Sequence, residues 1–194
     1  MEAAAEAFLR GGYRGTSMDD IAAAARVSKQ TVYQHFSGKE RLFAEIITAT
    51  VGEASQPVIG EIEALADTQD VATDLRELGG RLLALALRPQ VLRLRRLVIA
   101  EAARFPDLGR LFLEQGAGRT AQDLTVMFER LAARGVLRLD DPALAASQFN
   151  WLIMARLVNR AMLLGLETPP EAAELARSVD DGVRTFLLAY GPRD

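Results

Sequence analysis

The stretch Ser17-Met-Asp-Asp-Ile-Ala-Ala-Ala-Ala-Arg26-Val-Ser-Lys-Gln-Thr-Val-Tyr-Gln-His-Phe36 decides the fold. Ser17 and Asp20 stand at capping-box spacing before an apolar run built on small alanines, and Ser28 is placed to cap a second short helix after a tight turn. Two short helices so joined form a helix-turn-helix, whose second helix enters the major groove of DNA. In that helix Val32 and Phe36 are four apart and face inward with Ile21 and Val27, leaving Lys29, Gln30, Tyr33 and Gln34 on the opposite face. Lys29 suits guanine O6/N7 or a phosphate, and Gln30 or Gln34 suits adenine N6/N7. Ser28, Thr31, Tyr33 and His35 suit phosphate oxygens that fix register. Lys39, at the start of the next helix, adds a cation to free backbone N–H groups, and Thr16 and Ser17 do the same one helix earlier.

The rest of the chain is helical in period. Apolar residues recur at threes and fours, as in Leu42, Phe43, Ile46 and Ile47, and no alternating β-branched run appears. Helices are expected at about 2–11, 18–25, 29–35, 38–54, 57–66, 70–88, 90–105, 107–115, 118–134, 142–165 and 170–190. Further capping signals lie at Ser37/Glu40, Thr168/Glu171 and Asp141-Pro142. The fold class is therefore all-α: an N-terminal three-helix helix-turn-helix domain at 1–50, followed by a larger helical domain at 51–194.

Composition narrows the chemistry. The 194 residues include no Cys and one His, His35, which leaves no metal ligand set, no cofactor and no thiol or His-based catalysis, so an enzyme is not expected. The net charge is −3 and the pI about 5.4, which at first argues against a nucleic-acid partner. Residues 1–50, however, carry six basic and six acidic side chains, so the acidic surplus belongs to 51–194. The chain's two lysines, Lys29 and Lys39, frame the second helix of the motif. No signal peptide or membrane span is expected: Glu2 and Glu6 interrupt the N-terminal apolar run, and Arg156, Asn159 and Arg160 interrupt Phe149–Leu166. A cytoplasmic protein with no membrane partner is the expectation.

With Phe8-Leu-Arg-Gly-Gly-Tyr13-Arg-Gly-Thr16-Ser-Met-Asp-Asp-Ile-Ala and Val27-Ser-Lys-Gln-Thr-Val-Tyr33-Gln-His35-Phe36-Ser-Gly-Lys39-Glu-Arg-Leu42-Phe43, the sequence resembles the TetR/AcrR family of bacterial transcriptional regulators. The segment from Leu94 to Phe112 is similar to the C-terminal domain of the AefR-like branch. The resemblance implies a homodimeric regulator, most simply a repressor, released from a double-stranded operator by a small apolar or amphipathic effector. It also implies DNA contacts from Thr16, Ser17, Ser28, Lys29, Gln30, Thr31, Tyr33, Gln34, His35 and Lys39. The family often has Gly where Arg26 stands; if that turn needs positive φ, Arg26 costs up to about 1 kcal/mol. Glu101, Phe112, Phe128, Trp151 and Met154 are candidate effector contacts, with Arg95 or Arg156 as the alternative partner of Glu101. Phe149, Leu152, Ile153, Leu157, Val183, Phe186, Leu187 and Tyr190 are candidate dimer contacts, because the last two helices carry more apolar surface than one core face needs. The competing reading is a helical ligand-binding or interaction module without sequence-specific DNA binding.

Overall fold

The computed structural model describes residues 1–166 and 168–192, with the side chains of 53–57 left aside. Ten α-helices and one π-helical turn make up its regular structure: α1 (Glu2–Gly15), α2 (Met18–Ala25), α3 (Lys29–His35), α4 (Lys39–Leu65), α5 (Val71–Ala86), α6 (Pro89–Glu101), α7 (Pro106–Leu113), the π turn Glu114–Gly118, α8 (Arg119–Ala133), α9 (Pro142–Leu163) and α10 (Ala172–Tyr190). No strand occurs among the described residues. No helix there is long and apolar enough to cross a membrane.

The expected Ser17/Asp20 capping box is formed in full, and the side chain of Asp141 accepts from the N–H of Leu144 to start α9. Other boundaries differ. Helix α1 does not stop at 11 but kinks at Gly12 (φ 73°) and runs to Gly15. The break expected at Pro57 does not occur, and α4 is a single helix of 27 residues. Its start follows Gly38, whose carbonyl accepts from Leu42 N–H, and α10 is entered from Glu171 rather than Thr168.

The chain folds as two compact units, Met1–Glu53 with Arg93–Gln115, and Ala54–Leu92 with Gly116–Asp194. Helix α4 contributes to both. The first unit therefore takes up the end of α6 and all of α7 in addition to the N-terminal helices. Its core is an aromatic cluster: Phe43 meets Phe8 edge-on at 5.0 Å between ring centroids, and Tyr13 lies 5.0 Å from both Phe43 and Phe105. Ile21, Val32, Leu42, Ile46, Ile47, Leu94, Val98 and Phe112 close around it.

In the second unit α5, α8, α9 and α10 pack about three rings, with Phe128 stacked on Phe186 at 5.0 Å and Phe149 edge-on to both. Helices α9 and α10 approach so closely at Gly182 that a Cβ there would lie 3.1 Å from the Leu152 carbonyl oxygen and 3.0 Å from Ile153 Cγ1. Glycine is required by that approach. Glu174 ties the start of α10 to α9, accepting from both Arg160 Nη atoms at 2.7 Å, and the paired guanidinium holds its carboxyl below the usual range.

Five of the eight expected dimer contacts belong to this core. Phe149, Ile153, Leu157, Val183 and Phe186 are 0–1% exposed within one protomer, so no second chain can touch them. Leu187 and Tyr190 are half-buried, and Leu152 is 41% exposed. The outward apolar residues of α9 and its end are instead Trp151, Leu152, Leu163 and Leu164, with Leu188 on α10.

Candidate nucleic-acid interface

Helix α3 has only seven residues, too short to be stable alone, and is held by its ends and one anchor. Ser28 Oγ accepts from Thr31 N–H at 3.0 Å and shares a hydrogen bond with Thr31 Oγ1 at 2.8 Å, while Val32 is buried against the unit's core. The turn before it is shaped by Arg26, the non-glycine residue at positive φ (55°, ψ 40°), whose N–H bonds back to the carbonyls of Ala22 and Ala23. The left-handed conformation anticipated for this position is thus adopted by an arginine, whose side chain stays exposed.

Outward from this frame stand Lys29, Gln30, Tyr33, Gln34 and His35, all exposed. Among the described residues Gln30 and Gln34 make no side-chain hydrogen bond, so their amide edges are open to an outside partner. Lys29 is engaged: its Nζ lies 2.8 Å from Asp19 Oδ1 and 3.0 Å from Oδ2, and 5.9 Å from the Tyr33 ring centroid. The Asp19 carboxylate raises the lysine's pKa, so the ammonium is the persistent form. Sequence reasoning did not single out Asp19. It stands ten residues away across the turn, at no local spacing that marks a pair.

The hydroxyls fare differently from the amides. Thr16 is 3% exposed and its Oγ1 donates inward to the carbonyls of Ala7 (3.0 Å) and Gly12 (2.9 Å), which corrects its placement as a side chain facing a phosphate. Bonding the carbonyl left free at the α1 kink is the stronger local demand on it. Ser17 remains exposed, but its Oγ donates to Asp20 Oδ2 at 2.6 Å and accepts from Asp20 N–H, which holds the Asp20 carboxyl below its ordinary pKa. Lys39 is half-buried, with its Nζ donating to the Thr16 carbonyl at 2.9 Å and lying 4.6 Å from the Tyr13 ring centroid.

The expected effector contacts do not gather in one place. Phe128, fully buried, is part of the three-ring core, and Trp151 is 61% exposed at the surface; both readings are corrected by burial. Met154 packs half-buried against the core of the second unit. Phe112 and Glu101 lie in the first unit, with the Arg95 guanidinium 5.8 Å from the Phe112 ring centroid. Neither suggested partner of Glu101 pairs with it among the described residues: Arg95 covers Phe112, and Arg156 reaches Glu174 at 3.3 Å.

Comparison with known proteins gives this geometry its context. Residues 1–46 match the family of bacterial regulatory proteins of the tetR type, and residues 73–192 match the AefR-like transcriptional repressor C-terminal domain. A crystal structure of a TetR-family transcriptional regulator from Mesorhizobium loti is 38% identical, superposes with a TM-score of 0.91, and the match covers 98% of this chain and 94% of that one. The flavonoid-responsive regulator FrrA is 34% identical with a TM-score of 0.76, covering 100% and 95%. The HTH-type regulator YhgD of Bacillus subtilis is 45% identical over 56 residues, and the HTH-type activator FasR of Mycolicibacterium smegmatis 40% over 74. Those two matches span under a third of the curated relatives' own length, 29% and 32%. All four are regulators rather than enzymes. The chain belongs to the TetR family of DNA-binding bacterial transcriptional regulators, with a C-terminal domain of the AefR-like type.

Proposed function

We propose that the protein is a homodimeric, cytoplasmic repressor that leaves a palindromic operator when a small hydrophobic effector binds. The observation that carries this reading is the outward face of α3, where Gln30, Tyr33, Gln34 and His35 stand exposed beside Lys29 while Val32 anchors the helix. Lys29, Gln30 and Gln34 read base edges, and Ser17, Ser28, Thr31, Tyr33, His35 and Lys39 fix the phosphates. Residues 1–50 read the DNA, with 93–115 built onto the same compact unit, while 51–194 supply dimerisation and effector binding.

Support for the dimer comes from the apolar residues that one protomer leaves in water. Trp151 is 61% exposed, Leu163 85% and Leu188 83%, and a second copy related by a two-fold axis would cover them. Two-fold symmetry then sets two copies of α3 about 34–36 Å apart, one turn of DNA, so the operator is an inverted repeat. Repression is favoured by the AefR-like repressor match over 73–192, which is longer than the match to the activator FasR. The flavonoid response of FrrA supports an aromatic, largely apolar effector.

Selection of binding sites from random duplexes tests the reading. An enriched inverted repeat whose binding is weakened by an aromatic effector is expected. Absence of any enriched motif would favour a helical ligand-binding module instead.

A further inference from the structure

We propose that the first unit holds a site for a small phosphate-bearing molecule, in the cleft where Tyr13, Arg14, Lys39, Arg104 and Phe105 meet. The cleft measures about 520 Å³ and is completed by Gly38 and Glu40. That volume lies within the range that encloses small ligands, roughly 300–1,000 Å³. Three separate segments form it: the end of α1, the start of α4 and the turn between α6 and α7. Because the Gly38 carbonyl accepts from Leu42 N–H, the N–H groups of Lys39, Glu40 and Arg41 lie in the first turn of a 27-residue helix and have no acceptor within it. Three cations, Arg14, Lys39 and Arg104, face one carboxylate, Glu40. Arg14 and Arg104 are exposed and make no ion pair among the described residues, and Lys39 spends one of its three ammonium donors on the Thr16 carbonyl.

Tyr13 supplies an observation independent of the helix end and the cations. It is 2% exposed and lines the cleft, yet its hydroxyl makes no hydrogen bond to any described residue. Buried hydroxyls are ordinarily bonded, so this donor lacks the partner that an entering oxyanion would give it. Burial, then the carboxylates of Glu40 and Glu101, push its pKa up to about 12, and the phenol keeps its proton at any working pH. The phosphates of a rigid duplex reach exposed side chains, whereas a phenol this recessed is reached by a group small enough to enter. Phe105, half-buried and 5.0 Å from Tyr13 between ring centroids, offers a flat wall to the organic part of a phosphate ester.

Titration calorimetry of the full chain with inorganic phosphate and with phenyl phosphate, against chloride at equal ionic strength, tests the site. The expected result is saturable binding of one molecule per protomer, tighter for phenyl phosphate. Arg104→Gln, at an exposed position, should weaken it about tenfold or more, as loss of a charge-assisted hydrogen bond does, and Tyr13→Phe several-fold, both with wild-type melting temperatures. Absence of saturable binding with either probe, or equal affinity in wild type and Arg104→Gln, would overturn the proposal. It is also overturned if neither probe binds while Arg104→Gln flattens the salt slope of duplex binding by about 0.9, because the phosphate recognised is then the DNA's. Neither phosphate titration contains DNA, so its failure is separate from failure of the operator reading.

Discussion

Helix α3 has seven residues and buries one of them, Val32; α9 has 22 and buries seven. The first is fastened at its ends, by Ser28 and by the Arg26 turn, and its middle is left to face outward. The second is fastened along its length, by Phe149, Ile153 and Leu157 in the core and by Gly182 at its crossing with α10. Stability and recognition are therefore assigned to different helices. Substitutions on the face of α3 should change what the protein binds without changing whether it folds, and substitutions on the inner face of α9 or α10 should do the reverse.

That separation is open to attack from both sides. Phe186→Ala should be the costliest single change, about 3–5 kcal/mol in urea unfolding, since it opens a cavity against Phe128 and Phe149. The folded fraction should still bind operator with wild-type affinity. Lys29→Ala should lose about 1–3 kcal/mol of operator binding if the ammonium reads a guanine, measurable by fluorescence anisotropy at fixed salt. Its melting point should barely move, because the exposed pair with Asp19 is worth about 0–1 kcal/mol. Leu188→Glu, on the outward side of α10, should weaken the dimer by about tenfold or more in sedimentation, which is about 1.4 kcal/mol. A stable dimer in that variant would move the interface elsewhere.

Smaller effects sharpen the same contrast. Arg26→Gly should raise stability by about 1 kcal/mol, because the left-handed conformation at φ 55° strains any residue with a Cβ. If the exposed guanidinium also meets a phosphate, the same variant binds operator more weakly, and the two readouts move in opposite directions. Glu174→Gln gives a pH signature rather than a fixed loss. The folded-state pKa of Glu174 lies below its ordinary value through Arg160, so its contribution is present above the ordinary carboxylate range and disappears as pH falls through the lowered value. Unfolding curves of the variant and wild type should differ at neutral pH and converge in acid.

The N-terminal half of this picture was legible because its signals are local. The capping box at Ser17 and Asp20, the cap at Ser28 and the inward Val32 are readable within a few residues, and each forms. The readings that failed needed distances the chain does not encode locally. Helix α9 is apolar over so much of its circumference that periodicity cannot separate the side facing its own core from the side facing water. Phe149 and Leu152 look equivalent in sequence, yet one is 0% and the other 41% exposed. Thr16 suits either an outward cap or an inward bond, and the kink at Gly12 chose the second. Arg104 and Phe105 join Tyr13 from about ninety residues away, so no motif announces their cleft.

The ion pair between Lys29 and Asp19 bears on how the regulator would search a chromosome. An ammonium that already holds a carboxylate gains little by landing on an arbitrary phosphate: it trades one anion for another and leaves Asp19 facing the duplex. Encounters away from the operator would then be brief and sliding short. Only a site offering Lys29 a guanine edge, with Gln30 and Gln34 also engaged, would repay the exchange with a long residence. Asp19→Asn should lengthen dwell times on random DNA in single-molecule tracking while narrowing the gap between operator and non-operator sites.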